Sequence, residues 1–149
     1  MNIRPATSDE LPDVLRLYAQ PAFDDGAVLD DLSARRLFAR FADYPDYTLY
    51  VAEDNGAIVG SFAMLVMINL GHMGSPSAIV EDVVVDPSLQ GRGIGKELMQ
   101  AAMTHAREKG CYKLVLSSNA RRVKAHAFYD SLGFERHGVS FHVNLKRPA

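Results

Sequence analysis

Three groups of residues in this chain have the types and spacing that chemistry requires. The first is Gln90-Gly91-Arg92-Gly93-Ile94-Gly95-Lys96, which follows the apolar run Val83-Val84-Val85 and the turn Asp86-Pro87. It reads as a strand, a glycine-rich turn and the first turn of a helix. The free N–H groups and the dipole of a helix N-terminus favour an anion. Glycines let the backbone approach that anion and adopt positive φ. Arg92 and Lys96 add positive charge, so a pyrophosphate is the expected guest; a tight turn with no ligand is the other reading. The second group is Glu81 and Asp82, in the strand that leads to the loop. Neighbours in a strand point to opposite faces, so one of the two is expected to face a given site. A carboxylate there can accept a proton, directly or through water, or it can sit solvated or salt-bridged. The third group is Asn119, at the end of a later strand, and Tyr129, ten residues on in a helix.

Two better-known phosphate loops do not fit. The dinucleotide pattern needs glycine where Lys96 stands. The P-loop needs glycine at Gln90 and Ser or Thr at Glu97. Cys111 has no base near it in sequence and begins a strand, so it reads as a small buried residue rather than a nucleophile. Phe128, beside Tyr129, reads as core.

The elements that position these groups follow from periodicity. Asn2 to Ala6 is a short first strand. Thr7-Ser8-Asp9-Glu10 is a capping box, and Leu11, Val14, Leu15 and Tyr18 recur at helical spacing until Pro21. A loop with Asp24, Asp25 and Gly26 leads to a second helix over 30–42. Strands over 47–52, 58–68 and 78–85, the first two joined at Asn55-Gly56 by a type I′ turn, form an antiparallel meander. A helix follows over 93–109, with Ile94, Leu98, Ala101, Ala102 and His105 near one face. Then come a strand over 112–117, a helix over 122–132 and a last strand over 139–145. This order predicts an α/β chain: one mixed sheet with helices on both faces.

Composition narrows the function. The chain has 149 residues, 48 % of them hydrophobic and 23 % charged, which suits a single globular domain. Its net charge of −2 lacks the basic surplus of a nucleic-acid binder. No apolar run approaches the ~18 residues of a membrane span, and Asn2-Ile3-Arg4-Pro5 is not a signal core. One cysteine excludes an internal disulfide and fits a reducing cytoplasm. No Cys/His cluster has zinc spacing, so no metal is expected.

Gln90-Gly91-Arg92-Gly93-Ile94-Gly95 resembles the Q/R-x-x-G-x-G/A signature of GNAT N-acetyltransferases, and the element order is similar over nearly the whole chain. The resemblance implies the GNAT fold, a mostly antiparallel mixed sheet of about six or seven strands with about four helices. It implies acetyl-CoA as co-substrate, its pyrophosphate on the amides of residues 90–96 and its pantetheine arm along the backbone of Val83, Val84 and Val85. It implies a contact from Asn119 to the coenzyme, Glu81 as base through a water chain, and Tyr129 as the acid that protonates the CoA thiolate. Amine acetylation needs such a base, because an alkylamine with a lysine-like pKa of about 10.4 arrives as ammonium. Dimers are common among these enzymes, so a homodimer is an expectation that the resemblance carries.

The acceptor is less defined. Leu116-Ser117-Ser118-Asn119-Ala120-Arg121-Arg122 with Ala125-His126-Ala127-Phe128-Tyr129, and His72 nine residues before Glu81, look like the aminoalkylphosphonate acetyltransferases. Ile79-Val80-Glu81-Asp82-Val83 and Gly110-Cys111-Tyr112-Lys113 resemble the glucosamine-6-phosphate acetyltransferases. The chain lacks their Cys-Gly-His, having Pro76-Ser77-Ala78-Ile79, and their Asp-Cys, having Ser117-Ser118. Arg121 and Arg122 can hold an acceptor phosphonate, meet the CoA 3′-phosphate or face solvent. Asp24 and Asp25 can attract a cationic amine or remain solvated. A protein or peptide amine as acceptor, and an acyl-CoA sensor without catalysis, stand as alternatives to a small-molecule enzyme.

Overall fold

In the computed structural model, which describes residues 1–146, the chain enters through a short strand, β1 (Asn2–Pro5). The capping box forms as expected: the Thr7 N–H donates to Glu10 Oε2 at 2.8 Å. Glu10 also receives Arg4 Nη2 at 2.6 Å, which ties β1 to the helix start. Helix α1 (Leu11–Tyr18) then buries Leu11, Val14 and Leu17 on one face, each contributing roughly 1.5–3 kcal/mol by leaving water. Helix α2 (Asp31–Ala39) is capped by Asp30, whose carboxylate accepts the Ser33 N–H at 2.8 Å. It is shorter than the expected 30–42 because its last turn tightens into a 3₁₀ turn, Arg40–Asp43.

Strands β2 (Tyr47–Asp54), β3 (Ala57–Met67) and β4 (Ser77–Val85) form the meander. Asn55 (φ 50°) and Gly56 (φ 80°) have the two positive φ values that a type I′ turn needs. Helix α3 (Ile94–Glu108) and strand β5 (Lys113–Val115) follow. The sheet order is β1-β2-β3-β4-β5, antiparallel except for β5, which runs parallel to β4. Helices α1 and α2 cover one face, where Leu11, Val14, Leu17 and Ala34 pack on Leu49, Val51, Ala63 and Val84. Helix α3 covers the other with Ile94, Leu98, Met99, Ala102 and Ala106 buried. Of the residues expected on that face, Ala101 is only half-buried and His105 stacks on Tyr50 at 4.9 Å. Gly60 lets α3 approach β3: a Cβ there would lie 2.9 Å from Leu98 Cδ1.

The residues group into two compact units, Met1–Leu116 and a smaller one that begins at Ser117. The smaller unit holds helix α4 (Val123–Ser131). The strand expected over 139–145 does not form. Val139, Phe141, Val143 and Leu145 alternate as a strand would, yet all four are exposed and no strand among the described residues pairs with them. Alternation supplies an apolar face, but a strand also needs a ladder partner for its N–H and C=O groups. Among the described residues the sheet therefore has five strands rather than six or seven. No helix there is long and apolar enough to cross a membrane.

Candidate active site

The glycine loop is held at its entry by Asp86. Its carboxylate accepts Arg16 Nη1 from α1 at 2.9 Å, the Ser88 N–H at 3.0 Å and the Ser88 hydroxyl at 2.6 Å. A 3₁₀ turn, Pro87–Leu89, then delivers the chain to Gly91 (φ 82°) and Gly93 (φ 87°), both left-handed. Gly93 is the N-cap of α3. Apart from the adjoining residues of the chain, no atom lies within 4 Å of where a Cβ would stand on either glycine, so the loop presents bare backbone to open space. The amides of Ile94, Gly95 and Lys96 open the helix and have no intrahelical acceptor. Arg92 and Lys96 are exposed beside them. These features fit a coenzyme pyrophosphate: dipole, free donors, mobile cations and no side chain in the way.

Strand β4 leads into that loop with one edge open. Its parallel pairing to β5 covers only Ser77, Ala78 and Ile79. From Val80 to Val85 the chain is paired on the β3 side alone. Backbone groups of Val83, Val84 and Val85 thus line an opening suited to an extended amide-bearing arm.

Within this stretch the ladder contains a bulge. Ala63 pairs with Glu81 and Ser61 with Val84, so Phe62 stands opposite both Asp82 and Val83. Asp82 takes the strain, at φ 54°. The bulge corrects the expectation of simple alternation, in which Glu81 and Asp82 serve opposite faces. Glu81 shares its sheet row with Ala63 and Leu49, on the α1/α2 face. Partial burial, and then the Asp82 charge, push the Glu81 carboxyl above its usual value. Burial, and then Asp24, do the same to Asp82. Tyr47 is raised by burial first and by both carboxylates after it. Glu81 and Asp82 therefore act on one aromatic side chain.

The loop after α1 is drawn to the Val85 end of β4. Gln20 Nε2 donates to the carbonyls of Leu17 (2.8 Å) and Val85 (3.2 Å). The Asp24 N–H donates to Tyr18 O at 3.2 Å and the Gly26 N–H to Ala19 O at 2.8 Å. This brings Asp24 into electrostatic range of Asp82. Asp25 is exposed at a left-handed turn (φ 52°). His72 lies at the far end of β4, in the β3–β4 turn, with its ring stacked on Tyr112 at 4.1 Å. Ser77 and Glu81 are four strand steps apart, about 13 Å at 3.3 Å each, and His72 lies beyond Ser77, so it is not gathered with Glu81.

In the smaller unit, Asn119 organises the start of α4. Its Oδ1 accepts the Arg121 N–H at 2.9 Å, and its carbonyl accepts the Arg122 N–H at 3.0 Å. The Asn119 oxygen is thereby used locally, and its Nδ2 is the group left to offer a ligand. Arg121 is exposed. Tyr129 packs between Phe128 (5.1 Å) and Phe134 (5.7 Å). Burial pushes its phenol above the usual value, against a smaller opposing pull from Arg122. It is therefore an O–H donor at neutral pH. Ser118 was missed at the sequence level: its hydroxyl is buried and, among the described residues, has no hydrogen-bond partner. Only its place next to Asn119 hinted at it. Tyr47, on which both carboxylates act, was not singled out from the sequence, because its aromatic character reads equally well as core.

A profile of the Acetyltransferase (GNAT) family matches residues 11–134. The chain is 36 % identical over 97 residues to a glucosamine 6-phosphate N-acetyltransferase of Trypanosoma brucei brucei, an alignment covering 65 % of this chain and 64 % of that protein. It thus spans just under two thirds of that relative's length. It is 29 % identical over 139 residues to the aminoalkylphosphonate N-acetyltransferase of Salmonella typhimurium, covering 93 % and 88 % of the two chains. A putative acetyltransferase from Agrobacterium tumefaciens has a solved structure that superposes with a TM-score of 0.90 at 30 % identity, covering 97 % of this chain and 99 % of its own. The chain belongs to the acetyltransferase (GNAT) family, whose members use acetyl-CoA as co-substrate.

Proposed function

We propose that this protein transfers the acetyl group of acetyl-CoA to the primary amine of a small molecule by direct attack. The observation that carries this reading is the continuity of β4: Glu81, then the open-edged backbone of Val83–Val85, then the glycine loop and the α3 N-terminus. The coenzyme, when bound, supplies an activated thioester. Residues 91–96 hold its pyrophosphate, and the backbone of Val83–Val85 pairs with its pantetheine amides. Glu81 takes the ammonium proton through water, which frees the lone pair for the thioester carbonyl. As the C–S bond breaks, Tyr129 gives its hydroxyl proton to the leaving sulfur and CoA departs as the thiol, while the second amine proton leaves the nitrogen for water and solvent restores the Tyr129 hydroxyl. Two features support these roles. The Glu81 carboxyl is shifted toward neutrality, as suits a base. The Tyr129 phenol is kept protonated by burial, as suits an acid.

The names of the relatives support a small amine over a protein acceptor. Mass spectrometry of a panel of primary amines incubated with acetyl-CoA and the protein tests this. The proposal expects at least one amine to gain a single acetyl group, with one CoA released for each. Binding of acetyl-CoA with no acetylated amine would replace the enzyme by a sensor.

A further inference from the structure

The larger unit contains an open groove of about 340 Å³, lined by Pro5, Phe38, Phe41, Tyr47, Thr48 and Leu49 together with small residues. That is the scale of a small-molecule pocket, roughly 300–1,000 Å³. None of its lining residues is charged. Phe41 stacks on Tyr47 at 4.1 Å and 8° between ring planes, and Tyr44 meets Tyr47 edge-on at 5.2 Å. Tyr47 belongs to both places. It closes one side of the groove, and it stands one sheet row from Glu81, on the same face, where Leu49, Ala63 and Glu81 form the next row. Apolar rings attract an apolar body, and their faces attract an ammonium. The carboxylates that act on Tyr47 are Asp82 and Glu81, with Asp24 acting on Asp82 in turn, while the neighbouring Asp46 is paired with Lys109 Nζ at 3.0 Å. The carboxylates acting on Tyr47 welcome an ammonium and repel a phosphate.

We infer that the groove closed by Tyr47 receives the apolar body of the acceptor, so that the preferred acceptor is an aralkyl or branched alkyl amine without phosphate. This rests on the acetyltransfer proposed above and names the substrate class at that same site. It also separates this chain from the sugar-phosphate and phosphonate acceptors that its relatives' names specify. The leaving proton and the thiolate are handled as before; only the body of the acceptor is assigned.

The test compares kcat/KM for phenylbutylamine, propylamine, glucosamine 6-phosphate and aminoethylphosphonate. Wild type is expected to prefer phenylbutylamine to either anionic amine by at least about tenfold, within the 10–200-fold that an apolar pocket gives. In Tyr47→Ala and in Tyr47→Leu, the ratio of phenylbutylamine to propylamine is expected to fall by about tenfold. A retained rise in melting temperature with acetyl-CoA shows that a variant has folded. Equal or better turnover of the anionic amines by wild type overturns the inference while leaving acetyltransfer standing. So does an unchanged ratio in a folded Tyr47 variant. If no amine is acetylated, the acetyltransfer reading falls and takes this inference with it. Should both variants unfold, the wild-type preference still decides.

Discussion

Glu81 pairs across the ladder with Ala63, which places its carboxyl on the sheet face that α1 and α2 cover. The strand that carries it runs on into the glycine loop, so the proposed proton acceptor and the proposed anion site are neighbours along one stretch of chain. Glu81→Gln keeps the shape and removes the acceptor. Its kcat/KM at neutral pH should fall by about 10²–10⁴. As pH rises toward the amine's own pKa, solution supplies the neutral nucleophile and part of the loss should return. A variant as active as wild type at neutral pH would remove Glu81 from the mechanism.

Asp82 gives that profile a second signature. Burial and the Asp82 charge hold the Glu81 pKa above its ordinary value. As pH falls through this raised value Glu81 gains a proton and stops accepting, so the acid limb of kcat/KM lies above the ordinary glutamate value. Asp82→Asn removes the charge and should move the limb to lower pH. An acid limb that stays in place in a folded Asp82→Asn variant would show that the two carboxyls do not communicate.

The same residue makes a stability prediction with a defined sign. The Asp82 pKa is raised in the folded chain, by burial and then by Asp24. Its ionised form is therefore disfavoured by folding, a penalty present above the folded pKa and lost as pH falls through it. Asn tolerates the left-handed backbone (φ 54°). Asp82→Asn should raise the melting temperature at pH 7 by about 1–2 °C, the effect of a few tenths of a kcal/mol on a chain of this size. The gain should vanish in acid. Asp82→Ala should melt below Asp82→Asn, because a left-handed alanine costs roughly 1–2 kcal/mol. Scanning calorimetry at two pH values reads both effects.

Gly93 tests the coenzyme site. Acetyl-CoA at a hundredfold excess over its Kd should stabilise wild type by about 2.7 kcal/mol. Gly93→Val puts a β-branched side chain at φ 87° and into the open space above the loop. The thermal shift should disappear. A full shift in Gly93→Val would move the coenzyme away from this loop.

The sequence made the α/β order, the meander and the glycine loop legible because each rests on local rules: periodicity, an Asn-Gly turn, three glycines before a helix. The bulge at Asp82 was not legible. It depends on which β3 residue meets which β4 residue, and an aspartate does not announce a positive φ as glycine does. Alternation therefore predicted that Glu81 and Asp82 serve opposite faces, and the bulge removes the basis for that expectation. The segment with Val139, Phe141, Val143 and Leu145 shows the opposite limit: its pattern was read correctly, but no strand among the described residues pairs with it. The Asn119 oxygen is spent on the turn before α4, which only the backbone geometry reveals. Tyr47 could have been found: it alternates with Leu49 and Val51, and the meander register carries that face across to Glu81.

Initial-rate kinetics with both substrates varied test the central claim most directly, since direct attack requires acetyl-CoA and amine to be bound together. CoA release should depend on the amine, and double-reciprocal plots should intersect. Parallel lines, the pattern of a covalent acetyl-enzyme, would contradict direct attack and turn attention to Cys111. CoA release that does not depend on any amine would contradict the transfer itself.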